Sequence, residues 1–155
     1  MSAHTPEERL RQLGIVLPTP AAPVANYVAA VISGSSLIVS GQLPLVDGRL
    51  YASGKLGDSV AVEVAVEAAR YSMVNVIAQV KAAIGDLSRV RRVVRLGGFI
   101  ACTPDFTQHA NVMNGASDLA VAVFGDAGRH ARSTVGVPSL PLDSAVEVEG
   151  LFEIA

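Results

Sequence analysis

Apolar positions along the chain follow two spacings, short alternating runs and longer stretches with helical recurrence. Tyr27 to Ser33 (YVAAVIS) and Ser36 to Ser40 (SLIVS) flank Gly34-Ser35 and predict two strands joined by a turn. Gly41-Gln42-Leu43-Pro44 carries the second strand to an irregular end. Asp47-Gly48 predicts another turn, with a short strand near Leu50 and Tyr51. The longest helix is expected to start at a cap on Asp58 or Ser59 and to reach about Ile84, with Gly85 after it. Val60, Val64, Tyr71, Val74 and Ile77 would form much of its buried stripe. Arg89 to Cys102 reads as a long strand, in which Gly97-Gly98 marks a bulge or a close backbone approach. Asp105 is expected to cap a second helix over roughly residues 106 to 124, closed by Gly125. Arg132 to Val137 and Ala145 to Ile154 are the last strands, joined by a Pro138–Asp143 loop.

Ahead of these elements, Thr5-Pro6-Glu7-Glu8 has the form of a capping box with Pro at the first helical position. It predicts a short leader helix that closes at Gly14. Pro18, Pro20 and Pro23 then force an extended linker. Residues 1–23 are therefore read as a leader and linker, and residues 24–155 as one domain. Its order, ββ(β)αβαββ, predicts an α+β fold: one mixed sheet with two helices packed on one face.

That arrangement leaves one sheet face without helices. On the final strand Val146, Val148, Phe152 and Ile154 share one face, and Glu147, Glu149, Leu151 and Glu153 the other. On the preceding strand Arg132, Thr134 and Gly136 oppose Ser133, Val135 and Val137. Neither second face is evenly polar, as a solvated sheet face would be.

Composition sharpens this point. Of 155 residues 50% are hydrophobic, only 17% are charged and 5% aromatic, with a net charge of −2. A typical soluble domain carries about 25% charged residues. The deficit predicts an oligomer that buries further surface; an Ala/Val-rich monomer is the alternative. The acidic balance speaks against a nucleic-acid partner. No apolar run is long enough for a membrane span, and the N-terminal residues lack a signal-peptide core, so a cytoplasmic protein is expected. The single cysteine, Cys102, excludes a disulfide scaffold.

Few residues carry chemistry. His4, His109 and His130 have no metal-ligand spacing, and no metal site is expected. Cys102 has no evident histidine partner in sequence and reads as a buried structural thiol. Gly97-Gly98 is not part of a phosphate loop. Strand alternation puts Arg89, Arg91 and Arg95 on one face and Arg92 on the other, a solvated or edge-protecting strand. The most informative pair is Arg132 with Glu147. A guanidinium fork suits a carboxylate, and a nearby carboxylate can orient or deprotonate water. An ordinary Arg–Glu salt bridge is the other reading of the same pair.

At these residues the chain resembles the Rid (YjgF/YER057c/UK114) family. Ala131-Arg132-Ser133-Thr134-Val135, Leu140-Pro141 and Val146-Glu147-Val148-Glu149 match its C-terminal signature in order and spacing. Tyr27, Ser40-Gly41-Gln42-Leu43-Pro44 and Asn75-Val76 match earlier parts. The leader helix and the segment from Val112 to Leu119 resemble a longer subgroup. The resemblance implies a chorismate-mutase-like fold, a homotrimer around a central sheet barrel, and ligand clefts between subunits. It implies hydrolytic deamination of 2-imino and enamine acids without metal or organic cofactor. Arg132 would bind the substrate carboxylate and Glu147 would position water. Tyr27, from a neighbouring subunit, and Asn114 would line the cleft. The Thr134 backbone would donate, and Gly41 would let the main chain approach the ligand. Thr134 stands where many members have Cys, and Ala25-Asn26-Tyr27 replaces Gly-Pro-Tyr. A carboxylate-binding protein without catalysis and an endoribonuclease are the competing functions.

Overall fold

The computed structural model describes residues 4–20, 23 and 25–155. The leader helix α1 spans Pro6–Gln12 and has the expected capping box. Thr5 Oγ1 accepts from the Glu8 N–H at 3.2 Å, and Glu8 accepts from the Thr5 N–H at 2.8 Å. The linker residues 21, 22 and 24 lie outside the described residues. Strands β1 (Ala30–Ser33) and β2 (Ser36–Gln42) form the predicted hairpin. Asp47 and Gly48, both at positive φ, turn β3 (Leu45–Val46) into β4 (Arg49–Leu50). Helix α2 (Val62–Ile84), strand β5 (Val90–Ala101), helix α3 (His109–Phe124), strand β6 (Ala131–Val137) and strand β7 (Val146–Ile154) complete the order.

Both long helices start later than their expected caps. Asp58 and Ser59 are spent in a turn that brings Val60 onto Leu56, and Leu56 bridges to Cys102. Ala61 therefore precedes α2 and supplies no side-chain cap. Asp105 likewise falls in a turn where the Phe106 N–H bonds the Thr103 carbonyl at 3.2 Å. Gln108 occupies the N-cap position of α3 without a side-chain bond.

The five-stranded sheet runs β1-β2-β7-β5-β6. Only β5 and β6 are parallel, joined by the α3 crossover; the other pairs are antiparallel. Helices α2 and α3 pack on each other and on one face of the sheet. Val146, Val148, Phe152 and Ile154 of β7 turn to the helices and are buried, as the alternation predicts. Burial favours helix here despite the low propensity of valine. Of the expected α2 stripe, Val74 and Ile77 are buried. Val64 is exposed, whereas Ala65, Ala68, Ala69, Met73, Val76 and Val80 are fully buried. Small residues let the helices approach: a Cβ on Gly115 of α3 would collide with the Val66 carbonyl of α2.

The helix-free face is mixed. Val31, Ile38 and Leu151 align across β1, β2 and β7, and Phe99 with Val135 across β5 and β6. Glu147, Glu149, Glu153 and Arg95 stand among them. Two register shifts in β5 correct the expected arginine alternation. They let both Arg92 and Arg95 pair with residues of the helix-free face, Glu153 and Leu151.

Candidate functional site

Arg132 stands on β6, the edge strand beyond β5. Its register partner is Leu96, which is fully buried, so its side chain belongs to the helix side of the sheet. There it folds against α3. Nη1 donates to Asn114 Oδ1 at 2.9 Å and to Ser117 Oγ at 3.1 Å. Nη2 donates to the Ala110 carbonyl at 3.3 Å. A guanidinium has five N–H donors; these bonds use three and leave one on Nε and one on Nη2. Ser117 Oγ also meets His130 Nε2 at 2.8 Å, and His130 Nδ1 meets the Gly128 carbonyl at 2.6 Å.

Thr134 shares the face of Arg132, two residues along β6. Its Oγ1 is buried without a hydrogen-bond partner. Gly98 pairs with Thr134 and is the close approach that the Gly-Gly pair signalled. A Cβ there would meet Met113 Sδ at 2.5 Å and Thr134 Oγ1 at 3.1 Å.

Glu147 lies on the opposite face. Its partner is Phe99, on the helix-free side. Burial, followed by the charge of Glu149, pushes its carboxyl above the ordinary range. Gly41 faces it where β2 bulges against β7 between Val39 and Gln42, and a Cβ on Gly41 would collide with Glu147 Oε1. Gly97 makes similar room for Glu149, which pairs with Arg95 at 3.9 Å. Tyr27 is exposed in the bend before β1.

The structure thus gathers Arg132, Asn114 and Thr134 into one group, and Glu147 with Gly41 into another. Within one chain it does not bring Arg132 and Glu147 together, and they form no salt bridge. Ser117 and His130 were not singled out as site residues from sequence. Nor was His109 as a partner of Cys102, although Sγ and Nε2 lie 3.5 Å apart. That pair lines a cavity of about 430 Å³ with Lys55, Phe106 and Pro138. Burial raises the Cys102 thiol, which opposes a reactive thiolate. Among the described residues no cluster of three or more His, Cys, Asp or Glu could hold a metal. No helix there is long and apolar enough to cross a membrane.

The family is decided by a match over residues 7–154 to the model "YjgF/chorismate mutase-like, putative endoribonuclease". The chain belongs to the YjgF family. It is 51% identical over 146 residues to Protein TCP17 of Trypanosoma cruzi, covering 94% of this chain and 91% of that protein. The crystal structure of a "putative endoribonuclease" from Shewanella oneidensis superimposes with a TM-score of 0.94 at 40% identity, over 97% of this chain and 100% of that one. Escherichia coli TdcF with bound serine gives a TM-score of 0.64 at 26% identity, over 88% and 94%. The chain thus has the YjgF α+β fold, here a mixed sheet with three helices among the described residues.

Proposed function

We propose that this YjgF-family protein hydrolyses reactive 2-imino and enamine acids to 2-keto acids and ammonia, as a cytoplasmic homotrimer with a central sheet barrel. The observation that carries the reading is the tethered Arg132: α3 engages three of its donors and two remain for a carboxylate. The imine tautomer of such an acid presents a carboxylate beside an electrophilic C=N carbon. Arg132 holds the carboxylate, while Asn114, Tyr27 and the Thr134 backbone complete the cleft. Water activated by Glu147 attacks the carbon, and its proton passes to nitrogen. The carbinolamine then expels ammonia and leaves the ketone. The raised carboxyl of Glu147 moves it toward neutral pH, where a general base works best. Positioning and proton transfer suffice for so labile a bond, and no cofactor enters these steps.

Arg132 and Glu147 occupy opposite faces of one sheet, so a cleft using both takes them from different copies. This supports an oligomer, as does the apolar surface among the charges of the helix-free face. The serine in TdcF supports a small carboxylate ligand, and it fits equally a second reading, binding without catalysis. Nuclease activity finds less support, because the chain has a net charge of −2 and only 5% aromatic residues.

The test is ammonia release from 2-aminoacrylate generated in situ, with wild type and Arg132→Ala in parallel. Wild-type acceleration that Arg132→Ala abolishes is expected. No acceleration, with 2-keto acids still bound, selects the binding reading. RNA cleavage lost in Arg132→Ala selects the nuclease.

A further inference from the structure

We infer that Ser117 and His130 are positioning residues for Arg132, aligning its guanidinium for the carboxylate. The inference rests on the anchoring role proposed for Arg132. His130 Nδ1 lies 2.6 Å from the Gly128 carbonyl oxygen. A carbonyl only accepts, so Nδ1 carries a proton. In the neutral ring Nε2 is then an acceptor, and it lies 2.8 Å from Ser117 Oγ. The Ser117 hydroxyl therefore donates to His130, which leaves its lone pairs for Arg132 Nη1 at 3.1 Å. Every donor points the same way: guanidinium to hydroxyl, hydroxyl to imidazole, imidazole to backbone carbonyl.

Three elements are tied by this chain. Arg132 is on β6 and Ser117 on α3, while Gly128 ends the turn after α3. A helical serine without another acceptor turns its hydroxyl toward the carbonyl four residues earlier. His130 removes that option. With Asn114 it makes two fixed acceptors converge on Nη1, so the planar fork cannot swing away from the direction of its free donors. Arginine is useful as an anchor only when its plane is held.

The two ring nitrogens separate positioning from plain structural support. His130→Gln can keep an acceptor for Ser117, whereas His130→Asn can keep only the donor to Gly128. Ser117→Thr keeps the hydroxyl and Ser117→Ala deletes it. With 2-aminoacrylate generated in situ, Ser117→Ala and His130→Asn are expected to raise KM about tenfold, the scale of one hydrogen bond to a charged group. Their kcat is expected to stay within about twofold, since uniform binding is what they lose. Ser117→Thr and His130→Gln are expected to stay near wild type. Thermal melts confirm that each variant is folded. Unchanged KM in Ser117→Ala and His130→Asn overturns the inference, and so does a His130→Asn that outperforms His130→Gln. If Arg132→Ala itself keeps the wild-type KM, the anchoring role fails and this inference falls with it. If Arg132→Ala loses the substrate while the other four variants do not, only the positioning role falls.

Discussion

Replacing Glu147 by Gln is expected to make the protein more stable and less active at neutral pH. The amide keeps the shape of the side chain but removes a charge that burial and Glu149 both disfavour. Glu147 and Glu149 stand two residues apart on one face of β7, which places their origins about 7 Å apart. Two like charges at that distance repel by about 0.6 kcal/mol in water and by about 2.4 kcal/mol at an effective dielectric of about 20. Glu149 and Arg95 are nearly half exposed, and their pairing at 3.9 Å drains part of the repulsion. A gain of about 1 kcal/mol is therefore reasonable for Glu147→Gln, or about 2–4 °C in melting temperature for a domain of this size. Assembly around this face would deepen the burial and enlarge the gain.

The sign of the pH dependence follows from the direction of the shift. The native carboxyl ionises above its ordinary value of 4.5. The unfolded chain thus releases its proton first, and wild-type stability falls as pH rises from about that value through the native pKa. The advantage of Glu147→Gln should be absent near pH 4 and full near pH 7.5. Activity should fall by about 10²–10⁴-fold, the usual worth of a general base. Melting curves between pH 4 and pH 8 at constant salt, with ammonia release at pH 7.5, test both parts. A variant that melts below wild type at pH 7.5, or whose gain does not shrink toward pH 4, would refute the electrostatic argument. Undiminished ammonia release would refute the catalytic one.

Three further outcomes follow from the packing. Gly41→Ala should lower deamination while moving the melting temperature little, because its Cβ meets the movable end of the Glu147 side chain; steady-state rates beside thermal melts check this. Gly115→Ala meets the backbone carbonyl of Val66 instead. Overpacking of about 1–3 kcal/mol outweighs the helix gain from alanine, so melting should fall by several degrees. Acid should release the leader helix. Glu7 accepts from the Leu87 N–H at 2.7 Å and from Lys81 Nζ at 3.0 Å. Burial alone would raise its carboxyl, but these bonds outweigh it and hold the carboxyl low. Their stabilisation is present above the ordinary carboxylate range and disappears as pH falls through the depressed value. Hydrogen exchange in residues 6–12 should accelerate at that pH in wild type, and already at neutral pH in Glu7→Gln.

Local chemistry made much of this protein readable in advance. The Thr5–Glu8 capping box, the turns at Gly34-Ser35 and Asp47-Gly48, and the alternation of β7 depend on neighbours a few residues away. Each was visible for that reason. Asp58 and Asp105 had good capping chemistry but were captured by turns, one of them held by the bridge from Leu56 to Cys102. The arginine pattern failed because a bulge shifts parity by one residue, and nothing local announces it. The partnerships of Cys102 with His109, and of Ser117 with both His130 and Arg132, join strand, helix and turn only after folding.

The sequence by itself determined which residues share a face in the unbulged strands β6 and β7, because side-chain direction alternates with a period of two. It also singled out Arg132 and Glu147 as candidates. It could not relate the two, since parity in one strand says nothing about parity in another. Tertiary structure decided that, through the register of β5 against both neighbours. Leu96 carries Arg132 to the helix side, and Phe99 carries Glu147 to the other.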